Sequence, residues 1–426
     1  LKPHTDKPSN PKAVKGDLKP AKIGAKPDIA CCSSAVKLLL NWMKYLYTMK
    51  LSTKLIHAGV EPDPSTGAIM TPIYQTSTYV QSAPGVHKGF EYARSQNPTR
   101  FALEAALAHI ENGKHGLCFS SGVAATDAVL RLLVPGDEVI AANDMYGGTY
   151  RLFTKVFEKM GIRFHFVDMQ DASAIRPHIN ANTRLVWIET PTNPLMNIID
   201  IAALAAITKQ HGILLCVDNT FASPYLQNPL DLGADITMHS ATKYLGGHSD
   251  VIHGCLVMND DSLREQLYFI QKSCGAVPGP QDCFLVLRGL KTLHVRMDRH
   301  CSNGEAIARW LRDHPKVGEV YWCGFEDHPG YAIAKRQMRG FGGMMSFTLK
   351  DDNVAAAKKV LSSTKVFALA ESLGGVESLV NHPASMTHAS IPREERIRNG
   401  LGDSLIRVSV GIEDVDDLIE DLQQAI

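Results

Sequence analysis

From residue 116 to residue 258 the chain alternates short, uninterrupted apolar runs with stretches of helical apolar spacing. The runs fall at 116–119, 138–142, 163–167, 185–188, 213–217, 236–238 and 254–258. A strand with one wet face alternates polar and apolar residues, so a run that is apolar throughout needs cover on both faces. The helical stretches between them supply that cover. One spans 124–133. Another follows Asp200, with Leu204 and Ile207 on one face and Gly212 at its end. Strands alternating with helices in this way predict an open, mostly parallel α/β sheet.

Past about Lys291 the texture changes. The pattern predicts a long helix over 299–311, a strand over 344–349 entered from Gly340, Gly342 and Gly343, and a strand over 405–410. Val415, Leu418, Ile419 and Leu422 mark a closing helix. The expectation is a smaller C-terminal α+β domain over 296–426, after an α/β domain over 111–295. Residues 1–48 do not match the rest. The first 28 are rich in Lys and Pro and are expected to be disordered, and the stretch 31–47 is short, apolar and mildly basic. The segment is read as a non-native extension upstream of a start at Met49, in preference to a transit peptide.

Two domains suit a length of 426 residues. Lys+Arg and Asp+Glu balance at 44 each, which gives no electrostatic case for nucleic acid or an anionic membrane. No apolar run approaches the roughly 20 residues of a membrane span. The nine cysteines are scattered, several inside apolar runs (Cys118, Cys216, Cys255). They read as reduced, buried thiols of a cytoplasmic protein, with neither a disulfide framework nor a metal site.

The chemistry concentrates at the ends of the predicted strands. Lys243 follows the run 236–238, flanked by Ser240, Thr242, Gly246 and Gly247. That is poor packing material but a good setting for an imine-forming amine. Asp218 ends the preceding strand, where a carboxylate can keep a pyridine nitrogen protonated. Together they point to pyridoxal 5'-phosphate (PLP), held covalently by Lys243 and electrostatically by Asp218. By itself, Asp218 is equally compatible with an Asp-Asn turn. Ser121, Gly122 and Val123 join a strand to a helix, where backbone N–H groups favour a dianion, although a serine-capped turn has the same sequence. Ser240 and Thr242 offer hydroxyls to the same phosphate. Tyr146, before Gly147 and Gly148, can stack on a cofactor ring and carry protons, or simply anchor a loop. Arg407 lies inside a predicted strand and needs a partner, either a substrate α-carboxylate or an internal acid.

Several long blocks carry a family resemblance: residues 90–100, 189–194, 217–221, 240–244, 289–293, 372–375 and 386–390. Through them the chain from about Leu51 onward resembles the Cys/Met-metabolism family of PLP enzymes, and within it the cystathionine γ-lyases and γ-synthases. The resemblance implies the PLP-dependent transferase-like fold (aspartate aminotransferase-like, fold type I). By position, Lys243 resembles the Schiff-base lysine, Asp218 the ring-nitrogen partner and Tyr146 the stacking tyrosine. Gly122, Val123, Ser240 and Thr242 resemble the phosphate cradle. Tyr92 and Arg94 match a pair that reaches the phosphate of the neighbouring subunit. This makes residues 49–110 an intersubunit arm and implies a homotetramer of two dimers with shared sites. Asn193, Ser372 and Arg407 match residues that hold the carboxylate of an amino-acid substrate. Arg151 and Glu371 match positions at the entrance.

Glu91, Glu371 and the Gly147-Gly148 pair resemble the lyases, which implies cleavage of cystathionine to cysteine, 2-oxobutanoate and ammonia, with hydrogen sulfide release as a side reaction. The stretch 375–387 is equally at home in the synthases, so γ-replacement on an acyl-homoserine is the alternative. The methionine γ-lyases carry a cysteine close behind that tyrosine, which this chain does not have. An inactive scaffold relative is disfavoured because Lys243, Asp218, Tyr146, Tyr92, Arg94 and Arg407 are all present.

Overall fold

The computed structural model describes residues 49–351, 353–389 and 391–426, so the expectations for residues 1–48 lie outside the described residues. Seven strands form the larger sheet: β1 (His115–Phe119), β2 (Glu138–Ala142), β3 (Arg163–Val167), β4 (Thr183–Glu189), β5 (Leu214–Asp218), β6 (Ile236–Ser240) and β7 (Gly254–Met258). Their spatial order is β1-β7-β6-β5-β4-β2-β3. The block β6-β5-β4-β2-β3 is parallel throughout. β7 runs antiparallel to both of its neighbours, β6 and β1. Two reversals restore direction, so β1 points the same way as β2, β4, β5 and β6. The carboxyl ends of all these strands therefore share one edge of the sheet, where open α/β sheets bind their ligands.

The expected cover on both faces is present. One core cluster packs Phe119, Leu185, Trp187, Met238 and Leu256 against Val129, Phe153 and Leu267. The other packs Ile140, Val186, Ile188, Leu215 and Val217 against Ile201, Leu204 and Ile207. Adjacent residues of β4 fall into opposite clusters, as the period-2 geometry of a strand requires. At roughly 25 cal/mol per Å² of apolar surface, this double burial is the main term holding the sheet.

Helix ends deviate from the sequence pattern for identifiable reasons. The first covering helix is Gly122–Leu130, not 124–133: the Ser121 side chain caps it by accepting from the Ala124 N–H, and Leu132 and Leu133 lie in the following turn. The long helix begins earlier than expected, at Leu293, and runs to Asp313. Helices Asp261–Cys274 and Pro280–Leu290 add to the cover.

The second sheet has five strands in the order β10-β11-β12-β9-β8. They are β8 (Val317–Tyr321), β9 (Met344–Leu349), β10 (Ala368–Leu369), β11 (Leu379–Asn381) and β12 (Ile406–Ser409). β9 and β12 match expectation and pair antiparallel. The sheet has its own core, in which Phe347, Ile406 and Val408 meet Ile307, Leu311, Leu418 and Leu422. Among the described residues, no helix is long and apolar enough to cross a membrane.

Candidate active site

The carboxyl edge of the larger sheet opens into a cavity of about 410 Å³. Of the residues singled out from the sequence, Gly122, Val123, Tyr146, Asn193, Asp218, Ser240, Thr242, Lys243, Glu371, Ser372 and Arg407 line it. Residues more than 280 positions apart in the chain meet there because both sheets send strand ends and loops to it.

Lys243 lies just beyond β6 and donates from Nζ to Ser372 Oγ at 2.7 Å. Burial, reinforced by the charge of Arg407 and opposed by Glu371, lowers its pKa from 10.5 to about 8. A larger share of neutral amine is then present at physiological pH. Ser372 holds its place at a backbone cost. Its φ of 97° lies in the left-handed region, where a residue with a Cβ is strained. Its carbonyl accepts from Arg407 Nη2 at 2.9 Å, which pins that conformation.

Asp218 and Glu189 end adjacent parallel strands in direct register. Both carboxyls are buried, and neither forms an ion pair among the described residues. Burial pushes the Asp218 pKa up, while the N–H and hydroxyl of Thr220, together with His239, work against it. Burial and the neighbouring Asp218 drive Glu189 well above the usual carboxylate range. The hydrogen bonds that Asp218 accepts fall on Oδ1, from the Thr220 N–H at 3.0 Å and from its hydroxyl. Oδ2 is left toward the cavity. Two adjacent buried carboxyls without a cation in contact are unfavourable as they stand, and a cationic ring N–H against Oδ2 would relieve that.

Opposite them, the helix Gly122–Leu130 presents the backbone N–H groups of Gly122 and Val123 at its start. A Cβ on Gly122 would sit 2.9 Å from the Ser240 Cβ, so only glycine allows the helix start and the Ser240 hydroxyl to crowd one anion. The Thr242 hydroxyl is engaged with the His253 backbone.

Tyr146 leaves β2 and is held through its backbone N–H, which donates to Glu189 Oε2 at 2.9 Å. Its ring occupies space that a Cβ on Gly148 would invade, at 2.3 Å. Glu189 thus orders the tyrosine loop and shares the pocket of Asp218. Sequence reasoning missed this role, although Glu189 stood at the end of an apolar run as Asp218 did. Thr220 and Thr387 also line the cavity without having been anticipated.

Arg407, in β12, is 2 % exposed. Nη1 donates to Asn193 Oδ1 at 2.8 Å and Nη2 to the Ser372 carbonyl, while Nε is buried without a partner. No Asp or Glu is within ion-pair distance of it among the described residues, although the charges of Glu189 and Glu371 act on it from further off. A buried guanidinium without an acid in contact is a ready receptor for a carboxylate.

Three anticipated residues stand apart from this cavity. Arg151 is exposed at the end of the helix Gly147–Leu152 and is not among the lining residues. Tyr92 is 46 % exposed, and Arg94 lies over its ring, with the guanidinium carbon 5.5 Å from the ring centroid. Arg94 donates to the Lys272 carbonyl.

The donor set therefore fits PLP: a free amine, a buried carboxylate for the ring nitrogen, an anion-binding helix start and a separate carboxylate receptor. Comparison with known proteins agrees. Residues 52–426 match the family model for Cys/Met metabolism PLP-dependent enzymes. The chain belongs to that family, and the fold is its PLP-dependent fold type I. It is 54 % identical over 378 residues to a cystathionine β-lyase of Coxiella burnetii, covering 88 % of this chain and 97 % of that one. It is 52 % identical over 377 residues to a cystathionine γ-synthase of Mycobacterium bovis, covering 88 % and 96 %. The crystal structure of cystathionine γ-lyase from Lactobacillus plantarum with L-serine superposes with a TM-score of 0.86 at 46 % identity, covering 88 % of this chain and 98 % of that one. Three activities thus recur among relatives of similar identity, and β-cleavage was not among the activities considered from the sequence.

Proposed function

We propose that this chain is a cystathionine γ-lyase, with γ-replacement on an acyl-homoserine as its alternative chemistry. The observation that carries the reading is the placement of the Lys243 amine in one cavity with the unpaired Asp218 and Arg407. Bound PLP supplies an electron sink for negative charge at the substrate α-carbon. Arg407 and Asn193 hold the substrate carboxylate. This orients the α-hydrogen toward Lys243, whose lowered pKa suits it to take a proton and return it. Tyr146 is the second proton carrier on the cavity wall, placed to serve the departing thiolate. Ser372 accepts from Lys243 Nζ and keeps the amine at its station between transfers. Glu371 on the wall supports a substrate that carries a second ammonium at its far end.

The assembly reading extends this. Residues 49–110 act as an arm, 111–295 as the cofactor domain and 296–426 as the C-terminal domain of a cytoplasmic homotetramer. Tyr92 and Arg94 of one copy complete the phosphate site of another, and Arg151 guards the entrance. The exposure of Tyr92 and the absence of the pair from the lining of its own cavity support this.

A product assay separates the activities. Offered cystathionine, a γ-lyase releases 2-oxobutanoate and cysteine, whereas a β-lyase releases pyruvate and homocysteine. Offered O-succinyl- or O-acetylhomoserine with cysteine, a synthase forms cystathionine. Dominant 2-oxobutanoate release is expected. Dominant pyruvate or cystathionine formation would overturn the lyase assignment in favour of the matching relative.

A further inference from the structure

The segment 382–389 closes one wall of the cavity through Thr387. Behind that residue lies His388, 1 % exposed. Its Nε2 is 3.0 Å from the Asn193 carbonyl oxygen, and its Nδ1 is 2.8 Å from Thr387 Oγ1. The segment sits directly on the tyrosine loop: a Cβ on Gly147 would be 2.3 Å from the Thr387 carbonyl oxygen. The backbone of Met145, next to Tyr146, also acts on the ring electrostatically.

The neighbours decide the tautomer. Burial, with Arg407 and Arg396 nearby, pushes the ring pKa down to about 4, so the imidazole is neutral at physiological pH. A carbonyl only accepts, so Nε2 carries the proton. Nδ1 is then the acceptor, and the Thr387 hydroxyl donates to it. One ring thus joins the cavity wall at Thr387 to the backbone of Asn193.

Asn193 is the link to substrate binding. Its Oδ1 is committed to Arg407 Nη1, which turns its amide nitrogen away as a donor. Arg407 Nε takes no partner among the described residues, and the Asn193 amide nitrogen is not the atom that meets Arg407. Both stand in the wall where a carboxylate would be received.

We propose that His388 is a positioning residue. By holding the Asn193 carbonyl through Nε2–H, it aims the Asn193 amide, and with it the Arg407 guanidinium, at the α-carboxylate of the substrate. The proposal rests on the reading of Arg407 and Asn193 as the carboxylate receptor. Thr387, its proton committed inward, faces the cavity as an acceptor.

The test compares equilibrium binding of glycine and glycinamide to the PLP-loaded protein, followed by the change in cofactor absorbance. The two probes differ only in the carboxylate, so the ratio of their Kd values isolates its recognition. A loss of general stability shifts both Kd values and leaves the ratio alone. Wild type is expected to favour glycine, and His388→Leu to lose about tenfold of that ratio, the scale of one charge-assisted hydrogen bond. His388→Gln, whose amide nitrogen reaches the place of Nε2, keeps the ratio within about twofold. His388→Asn, which reaches only the place of Nδ1, behaves as the Leu variant and decides the matter if His388→Leu fails to fold. An unchanged ratio in the Leu or Asn variant, or a collapse in the Gln variant equal to that of Leu, overturns the proposal. A wild type without preference for glycine overturns the carboxylate receptor itself, and this inference with it.

Discussion

The carboxyl edge of the larger sheet and the segment from Thr71 to Gln96 are built on opposite terms. At the sheet edge Asp218, Glu189, Asn193 and Arg407 are buried, and each is fixed by at least one named hydrogen bond. Along the segment, Val80 is 94 % exposed and Tyr92 nearly half exposed. Isolated bridges between Thr78 and Tyr92 and between Ala83 and Val86 are its β-pairing. In one region the buried polar groups find hydrogen-bond partners within the same chain. The other leaves apolar and basic side chains facing outward, which a folded protein covers when they have work to do. The difference teaches where this chain can satisfy its own chemistry and where a second copy is expected to contribute.

Several perturbations break or sharpen that contrast. The largest effect is expected at the buried region. Lys243→Ala removes the amine and leaves the other cavity residues in place, so turnover should fall by at least ~10³-fold with the oligomer intact. Steady-state rates beside a sizing profile check both halves of that statement. Next comes Arg407→Leu, a change that takes away the carboxylate receptor and orphans Asn193 Oδ1. KM should rise by about 10–100-fold, with a smaller change in kcat. A fall in kcat alone would move Arg407 out of ground-state binding.

The exposed region gives a smaller but more diagnostic effect. Arg94→Ala should weaken PLP retention by roughly tenfold, read by cofactor titration. Mixing Arg94→Ala with Lys243→Ala protein should restore part of the activity through hybrids that own one intact site. No recovery, with subunit exchange demonstrated, would mean that the segment serves its own chain.

The smallest effect is a pH dependence. Lys243 has its pKa lowered to about 8, so about one molecule in ten carries the neutral amine at pH 7, against about one in 3,000 for an ordinary lysine. Capture of aldehydes by the cofactor-free protein should therefore rise through pH 8 instead of pH 10.5. The stability sign follows from proton counts. Between pH 8 and 10.5 the unfolded chain holds a proton at this lysine that the folded chain lacks, so this site adds stability as pH rises through that window. Denaturation of wild type against Lys243→Met across that window measures it.

Much of this was legible in the sequence because it is written in local patterns. The seven apolar runs became the seven strands of the larger sheet, since a run apolar on both faces has few other uses. Lys243 and Asp218 were legible because a polar residue at the end of such a run stands at the carboxyl edge whatever the strand order. The antiparallel insertion of β7 was not legible, because strand direction is settled by crossovers far away in the chain. Strands β10 and β11 are only two and three residues long, and β8 carries Gly318 and Glu319 at exposed positions, so none of them shows an apolar run. Glu189 and His388 were inside recognised blocks yet carried no assigned role. Their meaning comes from partners 43 and 195 positions away, the Tyr146 N–H and the Asn193 carbonyl. Arg407 shows the limit from the other side: its need for a partner was legible, but the absence of a contacting acid among the described residues was not.

The most direct test is to load the purified protein with PLP, reduce it with borohydride and map the modified peptide. The expected result is a yellow protein before reduction and a single pyridoxyl label on Lys243. A protein that stays colourless with excess PLP, or one labelled on another lysine while Lys243 remains free, would contradict the account.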